Sequence, residues 1–204
     1  MYGAIREYKI QPGKVNELFE RVRAEFVPMI DKAPGFVGYS FAQIGSDGII
    51  TTSTFESQKQ AEDSVKMAAA WVKENVASLV NGPPRVTTGE IVVRHVVENA
   101  KAGYGIMRRI ETTRAEADKS EKLVREGLLP LLSGMPGFAS YTLLLEESRD
   151  RGAAITAFAD RASAEAAGER ALAWVKENMK NSRVTEIVAG DIKLRHLRAT
   201  AGVR

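Results

Sequence analysis

The sequence has 204 residues, of which 44% are hydrophobic and 27% are charged, with a formal net charge of +3. This composition is typical of a globular protein and argues against a disordered or fibrous chain. The absence of cysteine excludes disulfides, thiolate zinc sites, iron–sulfur clusters and cysteine nucleophiles. No apolar run approaches the ~20 residues that span a bilayer, and the N-terminus lacks a signal-peptide pattern. We therefore expect a cytoplasmic protein with no membrane partner.

Basic and acidic residues alternate along the chain, for example in segments 20–25 and 118–122. Alternation of this kind is typical of a solvated helix face. Binding of nucleic acid would need basic residues clustered on one face, and the sequence contains no such cluster. We therefore expect no nucleic-acid partner.

The chain opens with a strand pattern that is followed by a helix pattern. Residues 2–10 combine aromatic and branched side chains, which predicts a strand. Apolar residues then recur every three or four positions between residues 15 and 30, which predicts an amphipathic helix. Pro28 interrupts the final turn because proline has no amide donor, and Pro34, followed by glycine, ends the helix.

The next segment predicts a hairpin, a second helix and a last strand. Strands are predicted over 36–44 and 49–55, joined by an Asp-Gly turn of the kind that favours tight hairpins. Ser57 fits a capping box at the start of the second helix. A further strand is predicted over 91–97. The order of elements is therefore βαββαβ, that of a ferredoxin-like unit.

The second half of the chain repeats the first half in order. The tripeptide Pro-Gly-Phe occurs at 34–36 and again at 136–138. The hexapeptide AWVKEN occurs at 70–75 and returns intact at 173–178. The two length differences between the copies fall in predicted loops, as a true duplication requires. The chain is therefore a tandem repeat of one unit.

A ferredoxin-like unit places both helices on one face of a four-stranded antiparallel sheet and leaves the other face bare. Segments 36–41 and 141–145 have apolar residues on both faces, so each sheet needs a cover. We predict an α+β fold of two ferredoxin-like barrel units, the first over 1–100 and the second over 101–204. Their antiparallel sheets pack face to face as a barrel within one chain. This internal pseudo-dimer leaves a further homodimer open.

Several segments of the first repeat, most with counterparts in the second, are characteristic of a known superfamily. They are the opening strand 2–6, the helix exit from Val27-Pro28 to Pro34-Gly35-Phe36, the strand end Phe55-Glu56, and the segments 70–72 and 89–92. Together with the order βαββαβ, they resemble the dimeric α+β barrel proteins, specifically the antibiotic-biosynthesis-monooxygenase-like branch. The resemblance covers nearly the whole chain and implies the barrel fold. Activities in this superfamily include cofactor-free oxygenation, haem degradation and isomerisation, so the fold alone does not choose a reaction.

Four matched pairs of residues are candidates for lining a pocket. They are Arg6 and Arg108, Tyr39 and Tyr141, Trp71 and Trp174, and His95 and His196. A buried arginine either holds an anionic ligand oxygen through two N–H groups or pairs with a glutamate at the sheet rim. The tyrosines either donate to a ligand carbonyl or belong to the core. The tryptophans either stack on a flat ligand or pack the second helix onto its sheet.

The two histidines lie at matching points of the last strand of each repeat. Strand alternation places His95 on the face of Ile91 and Val93. Each histidine is either a proton shuttle in a cavity or a hydrogen-bonded residue near a strand end. Two histidines without a carboxylate cluster are too few ligands for a closed zinc shell. The haem-degrading relatives use an asparagine with a tryptophan, and neither copy has asparagine in its first strand, so we expect neither metal nor cofactor.

Two functions remain open. The resemblance implies an oxidoreductase, a cofactor-independent oxygenase or related enzyme that acts on a small aromatic or polyketide-like molecule. The alternative is a non-catalytic small-molecule-binding or oligomerisation module, in which the matched residues hold the barrel together. The copies differ in strand one, where Arg109 and Ile110 replace Glu7 and Tyr8. One active half and one structural half is therefore a further hypothesis.

Overall fold

The computed structural model describes residues 1–198, which form eight strands and four helices. The strands are β1 (Tyr2–Lys9), β2 (Phe36–Ile44), β3 (Gly48–Phe55), β4 (Arg85–Val96), β5 (Tyr104–Glu111), β6 (Phe138–Leu145), β7 (Arg151–Phe158) and β8 (Arg183–Leu197). The first two helices are α1 (Val15–Arg21, a π-helical turn Val22–Phe26, then Val27–Asp31) and α2 (Gln58–Trp71, a π-helical turn Val72–Val76, then a 3-10 turn Ala77–Leu79). The last two are α3 (Arg114–Leu123, a π-helical turn Val124–Leu128, then Leu129–Ser133) and α4 (Arg161–Asn178).

The strands form one closed barrel in the order β1-β3-β2-β8-β5-β7-β6-β4. β3 pairs antiparallel with both β1 and β2, and β7 pairs antiparallel with both β5 and β6. In each repeat, the two strands of the hairpin are adjacent and the first strand joins on the far side of the hairpin's second strand, which is the ferredoxin-like arrangement. The predicted α+β barrel with two ferredoxin-like units is confirmed.

The chain divides into two compact units at points that lie inside strands. Among the described residues, the first unit comprises Met1–Thr88 together with residues 193–198, and the second comprises Gly89–Ile192. Both β4 and β8 therefore begin in one unit and end in the other. The two repeats of the sequence meet near residue 100. The two compact units of the structure are instead divided at Gly89 and at Lys193.

Each unit has its own hydrophobic core between its helices and its strands. The predicted apolar stripe of α1 is buried, including Val15, Leu18 and Phe26. The second core contains the matching side chains of α3, Val124 and Leu128 among them. No helix within residues 1–198 combines the length and the apolarity needed to cross a bilayer.

The π-helical turns in α1 and α3 precede Pro28 and Pro130, which occupy matching positions of the two repeats. Proline has no N–H to donate and its ring crowds the carbonyl four residues earlier. A wider turn just before the proline relieves this crowding without ending the helix. The sequence therefore predicts a disturbance at Pro28, and the structure shows it as a widened turn rather than a break.

Three of the four helices, α2, α3 and α4, begin with a side-chain cap. Ser57 accepts a hydrogen bond from the backbone of Gln60, whose side chain accepts one from the backbone of Ser57, so the predicted capping box is confirmed. Thr113 and Asp160 each accept from the backbone N–H three residues later. These caps satisfy amide groups that the first helical turn leaves unpaired.

Candidate functional site

Arg6 lies on β1 opposite Thr51 of β3 and is 1% exposed. Its Nη1 donates to Ser53 Oγ at 3.1 Å, and its Nη2 donates to Ser64 Oγ at 2.8 Å. The Nε atom is buried without a hydrogen-bond partner. Burial lowers the pKa of the Arg6 guanidinium, but the group stays protonated at neutral pH because its ordinary pKa is far above 7. The first unit therefore holds a buried cation bound to two hydroxyls rather than to a carboxylate.

Aromatic side chains surround Arg6 and leave a cavity of about 20 Å³. Tyr8, Tyr39 and Trp71 line it together with apolar residues of α1 and α2. Phe26 packs against the rings of Tyr39 and Trp71, with centroids 5.6 and 5.3 Å away. Burial raises the pKa of Tyr39 far above its usual value, and the Arg6 charge opposes that rise only in part. The Tyr39 hydroxyl therefore stays protonated at neutral pH.

Arg108 occupies the matching position on β5 and is 7% exposed. Within residues 1–198, no hydrogen bond or ion pair engages its guanidinium, and its Nε is buried without a partner. Burial lowers the pKa of this guanidinium, and the electrostatic effect of Tyr141 opposes that shift. An uncompensated charge in such a place is unfavourable unless a ligand or water supplies the missing contacts.

Arg108 faces a cavity of about 40 Å³ between α3, α4 and the sheet of the second unit. Tyr141 and Thr156 line the cavity with apolar side chains, among them Val124, Leu143 and Met179. Burial raises the pKa of Tyr141 well above its ordinary value, so its hydroxyl remains protonated. The cavity therefore combines one buried cation and one neutral phenol with mostly apolar walls, and Ser182 and the exposed Arg183, which pairs with Glu111, also line it.

Substitutions between the repeats explain why the two arginines differ in their contacts. Ser64 of α2 corresponds to Ala167 of α4, which offers no hydroxyl. Ser53 corresponds to Thr156, whose hydroxyl donates to the backbone oxygen of Ile106 at 3.3 Å instead. The two changes together remove both partners of the arginine.

Two features of the second unit, Gly168 and Arg109, are not among the residues predicted from the sequence to line a pocket. Gly168 lies in the middle of α4, where glycine costs ~1 kcal/mol relative to alanine. A methyl group at Gly168 would lie 2.9 Å from Nη2 of Arg108, so the glycine makes room for the guanidinium. Arg109, next along β5, is also buried and lies 3.3 Å from Glu186. The sequence patterns that indicate these two features are a glycine in the middle of a helix and two consecutive arginines in an apolar strand.

The matched tryptophans have different surroundings. Trp71 is buried and lines the cavity of the first unit. Trp174 is half-buried and lies against Gly127, where a methyl group would come within 2.5 Å of the indole ring. Trp174 does not line the cavity that contains Arg108. The pair therefore does not form two equivalent ligand-stacking sites.

Neither histidine lines either cavity. His95 is exposed and stacks on Phe138 at 5.9 Å between centroids. Val93 and His95 share a face of β4, but a β-bulge between Ile91 and Val93 places Ile91 on the opposite face, so only the predicted shared face of His95 and Ile91 is wrong. Residues upstream of the bulge therefore do not predict which way His95 faces.

His196 lies at the end of β8 in the first unit. Its Nε2 is 2.8 Å from Oδ1 of Asp31, and its ring stacks on Phe36 at 5.9 Å. In the second repeat Ser133 stands where the first has Asp31, so His95 has no equivalent carboxylate. Within residues 1–198, no three His, Asp or Glu side chains converge in a way that could hold a metal ion. The surroundings of His196 are those of a hydrogen-bonded residue near a strand end.

Residues 1–70 match the family model described as antibiotic biosynthesis monooxygenase. The first repeat is therefore similar to the antibiotic biosynthesis monooxygenases. This similarity agrees with the closed barrel and with the resemblance carried by segments of the first repeat. A comparison with curated protein sequences found no match.

Solved structures of the same fold cover almost all of the chain. A candidate monooxygenase of Fusobacterium nucleatum subsp. nucleatum ATCC 25586 is 6% identical, with 97% of this chain and 94% of that chain covered and a TM-score of 0.76. A candidate monooxygenase of Lactobacillus acidophilus NCFM is 12% identical, with 95% and 93% covered and a TM-score of 0.71. An anthrone oxidase-like protein is 14% identical, with 95% and 92% covered and a TM-score of 0.62. At these identities the similarity shows the fold.

Proposed function

We propose that this protein is a cofactor-independent oxygenase that acts on a small phenolic or enolisable aromatic molecule. The observation that carries the proposal is Arg108, a buried guanidinium that faces an apolar cavity and has no protein counter-charge within residues 1–198. Such a group favours the anionic form of a bound phenol or enol over the neutral form. The match of residues 1–70 to the antibiotic biosynthesis monooxygenase model supports the reaction class.

The residues of the cavity suit an oxygenation that begins from an anion. Arg108 stabilises the oxyanion of the bound aromatic ring, and the protonated Tyr141 hydroxyl donates a second hydrogen bond to it. The resulting enolate is electron-rich and transfers electrons to molecular oxygen directly. At an activated CH₂ carbon, one oxygen atom becomes the ketone, and the other leaves as water with the two hydrogens.

The cavity beside Arg108 is too small for an aromatic ring unless its walls move. About 40 Å³ is less than the ~150 Å³ of a cavity that holds a benzene ring. Side chains of α3 and α4 must therefore move outward when an aromatic ring enters. The π-helical turn Val124–Leu128 supplies two of the lining residues, and turns of this kind occur frequently at functional sites.

One observation favours the non-catalytic alternative for the first unit. There Arg6 already has two hydroxyl partners, and the cavity beside it is only about 20 Å³. This arrangement suits a packed interior that stabilises the unit. The same fold thus supports a structural role in the first unit beside a ligand-binding role in the second.

Oxygen uptake tests the proposed function. We expect the protein to consume oxygen with at least one substrate from a panel of quinols, naphthols and anthrones, and Arg108→Met to lower kcat/KM by about 10²-fold or more. Arg161→Met, which changes an exposed arginine, is the matched control and leaves kcat/KM unchanged. His95→Ala also leaves kcat/KM unchanged, because His95 lies outside the cavity. Absence of turnover across the panel, or full activity in Arg108→Met, contradicts the proposal.

A further inference from the structure

We infer that the anionic ligand binds only in the second unit, and that Ser53 and Ser64 take the place of the ligand's oxygen in the first. The inference rests on the proposed function for the class of ligand, a phenolate or enolate. It concerns which of two matched cavities accepts that ligand, a choice that the repeated sequence leaves open.

In the first unit, the hydroxyls that bind Arg6 are themselves fixed. Ser64 Oγ donates to the backbone oxygen of Ala61 at 2.7 Å, so its lone pairs are directed to Arg6. Ser53 Oγ lies 3.3 Å from Ser64 Oγ and accepts from the other terminal nitrogen of Arg6. A ligand oxygen that approached Arg6 would have to displace two buried hydroxyls and deprive both of the guanidinium donor, which is unfavourable.

In the second unit, no side chain within residues 1–198 forms a hydrogen bond or ion pair with Arg108. Thr156 donates to Ile106 within the sheet, and Ala167 has no polar side-chain atom. Gly168 leaves space for Nη2 beside α4, whereas the first repeat has Val65 at the matching position. The guanidinium is therefore preorganised toward the cavity with its hydrogen-bonding capacity unused.

The walls of the second cavity carry fewer hydroxyl groups near the arginine than those of the first. Tyr8 and Thr51, which line the first cavity beside Arg6, correspond to Ile110 and Ala154 in the second. These changes remove two hydroxyls from around the arginine and accompany a cavity of about 40 Å³ rather than about 20 Å³. A ligand with one anionic oxygen and an apolar ring therefore matches the second cavity better than the first.

The chain itself supplies a reciprocal pair of test variants. Ser64→Ala removes a partner of Arg6 and makes the first unit resemble the second. Ala167→Ser places a hydroxyl on α4 at the position of Ser64 and makes the second unit resemble the first. Both substitutions change one small buried side chain into another, and thermal unfolding of each variant checks that it folds.

The probe is 4-nitrophenol, whose phenolate absorbs visible light and thus reports both binding and ionisation. Equilibrium dialysis gives the number of molecules bound per chain, and the phenolate absorbance in slightly acidic buffer shows whether the bound probe is ionised. We expect one site per chain in the wild type, its loss in Arg108→Met and its retention in Arg6→Met. We expect Ala167→Ser to weaken binding about tenfold and Ser64→Ala to create a second site.

Two equivalent sites in the wild type, loss of the site in Arg6→Met but not in Arg108→Met, or no bound phenolate at all would overturn the inference. Oxygen uptake separates this outcome from failure of the proposed function. Turnover that depends on Arg6 contradicts the inference and leaves an oxygenase. Phenolate bound at Arg108 without any turnover supports the inference and contradicts the oxygenase.

Discussion

At the scale of single residues, Arg6 and Arg108 show how neighbours decide what a matched residue does. Both arginines are buried and occupy matching positions on the first strand of a repeat. The partners of Arg6 come from residues 47 and 58 positions away, on β3 and α2. Strand patterns predict that an arginine is buried, but they do not predict contacts with residues so distant in sequence. The difference between the repeats therefore became visible only in the folded chain.

Arg108→Met is expected to stabilise the protein while it removes the ligand site. Replacing a buried group that lacks a partner with an apolar side chain of similar length removes a desolvation cost, and we expect a gain of roughly 1 to 3 kcal/mol in the free energy of unfolding. Urea denaturation of the ligand-free protein measures the change. Arg6→Met is the matched control and gives no such gain, because Arg6 has hydroxyl partners. A clear loss of stability in Arg108→Met would show that the guanidinium is satisfied by the protein.

The Asp31–His196 pair predicts a pH-dependent contribution to stability. The hydrogen bond from His196 lowers the pKa of the Asp31 carboxyl, and the charges of His196, Arg198 and Lys32 add to the shift. Because the pKa is lowered in the folded state, the contribution is present above the ordinary pKa of aspartate and is lost as pH falls through the folded-state value.

Asp31→Asn tests this contribution. We expect the variant to be less stable than the wild type at neutral pH and equally stable in strong acid, as measured by urea denaturation across the acidic range. Ser133→Ala changes the matching position of the second repeat, which has no carboxylate, and its effect should not vary with pH. A difference between wild type and Asp31→Asn that is constant with pH contradicts this role of the pair.

At the scale of helices and strands, local patterns predicted most of what the structure shows. The apolar stripe of α1 and the capping box at Ser57 depend on residues within a few positions of each other, and both are confirmed. The bulge in β4 has no such local signal, and it places Ile91 on the face opposite to Val93 and His95, although strict alternation predicts one face for all three. The fold was therefore predictable from sequence, whereas the direction of a side chain beyond an irregularity was not.

Gly168→Ala tests the role of the mid-helix glycine in α4. In an exposed helix interior this change stabilises by ~1 kcal/mol. Here the added methyl group would lie 2.9 Å from Nη2 of Arg108, so we expect little or no gain in stability and weaker binding of 4-nitrophenol. Thermal unfolding and equilibrium dialysis measure the two effects. A full gain in stability with unchanged binding would show that Arg108 does not need this space.

At the scale of the whole molecule, one duplicated sequence has produced two units that are alike in fold and different in their cavities. The ends of β4 and β8 belong to compact units other than those in which these strands begin. The repeated elements preserve the strand order and the helix caps, and the differences lie beside the two arginines. A further homodimer stays a prediction.

A crystal structure of the protein with bound 4-nitrophenol tests the central claim most directly. We predict the phenolate oxygen within hydrogen-bonding distance of the terminal nitrogens of Arg108, an expanded cavity between α3 and α4, and Arg6 still bound to Ser53 and Ser64. A ligand beside Arg6, or an aromatic ring bound without contact to either arginine, would contradict the claim.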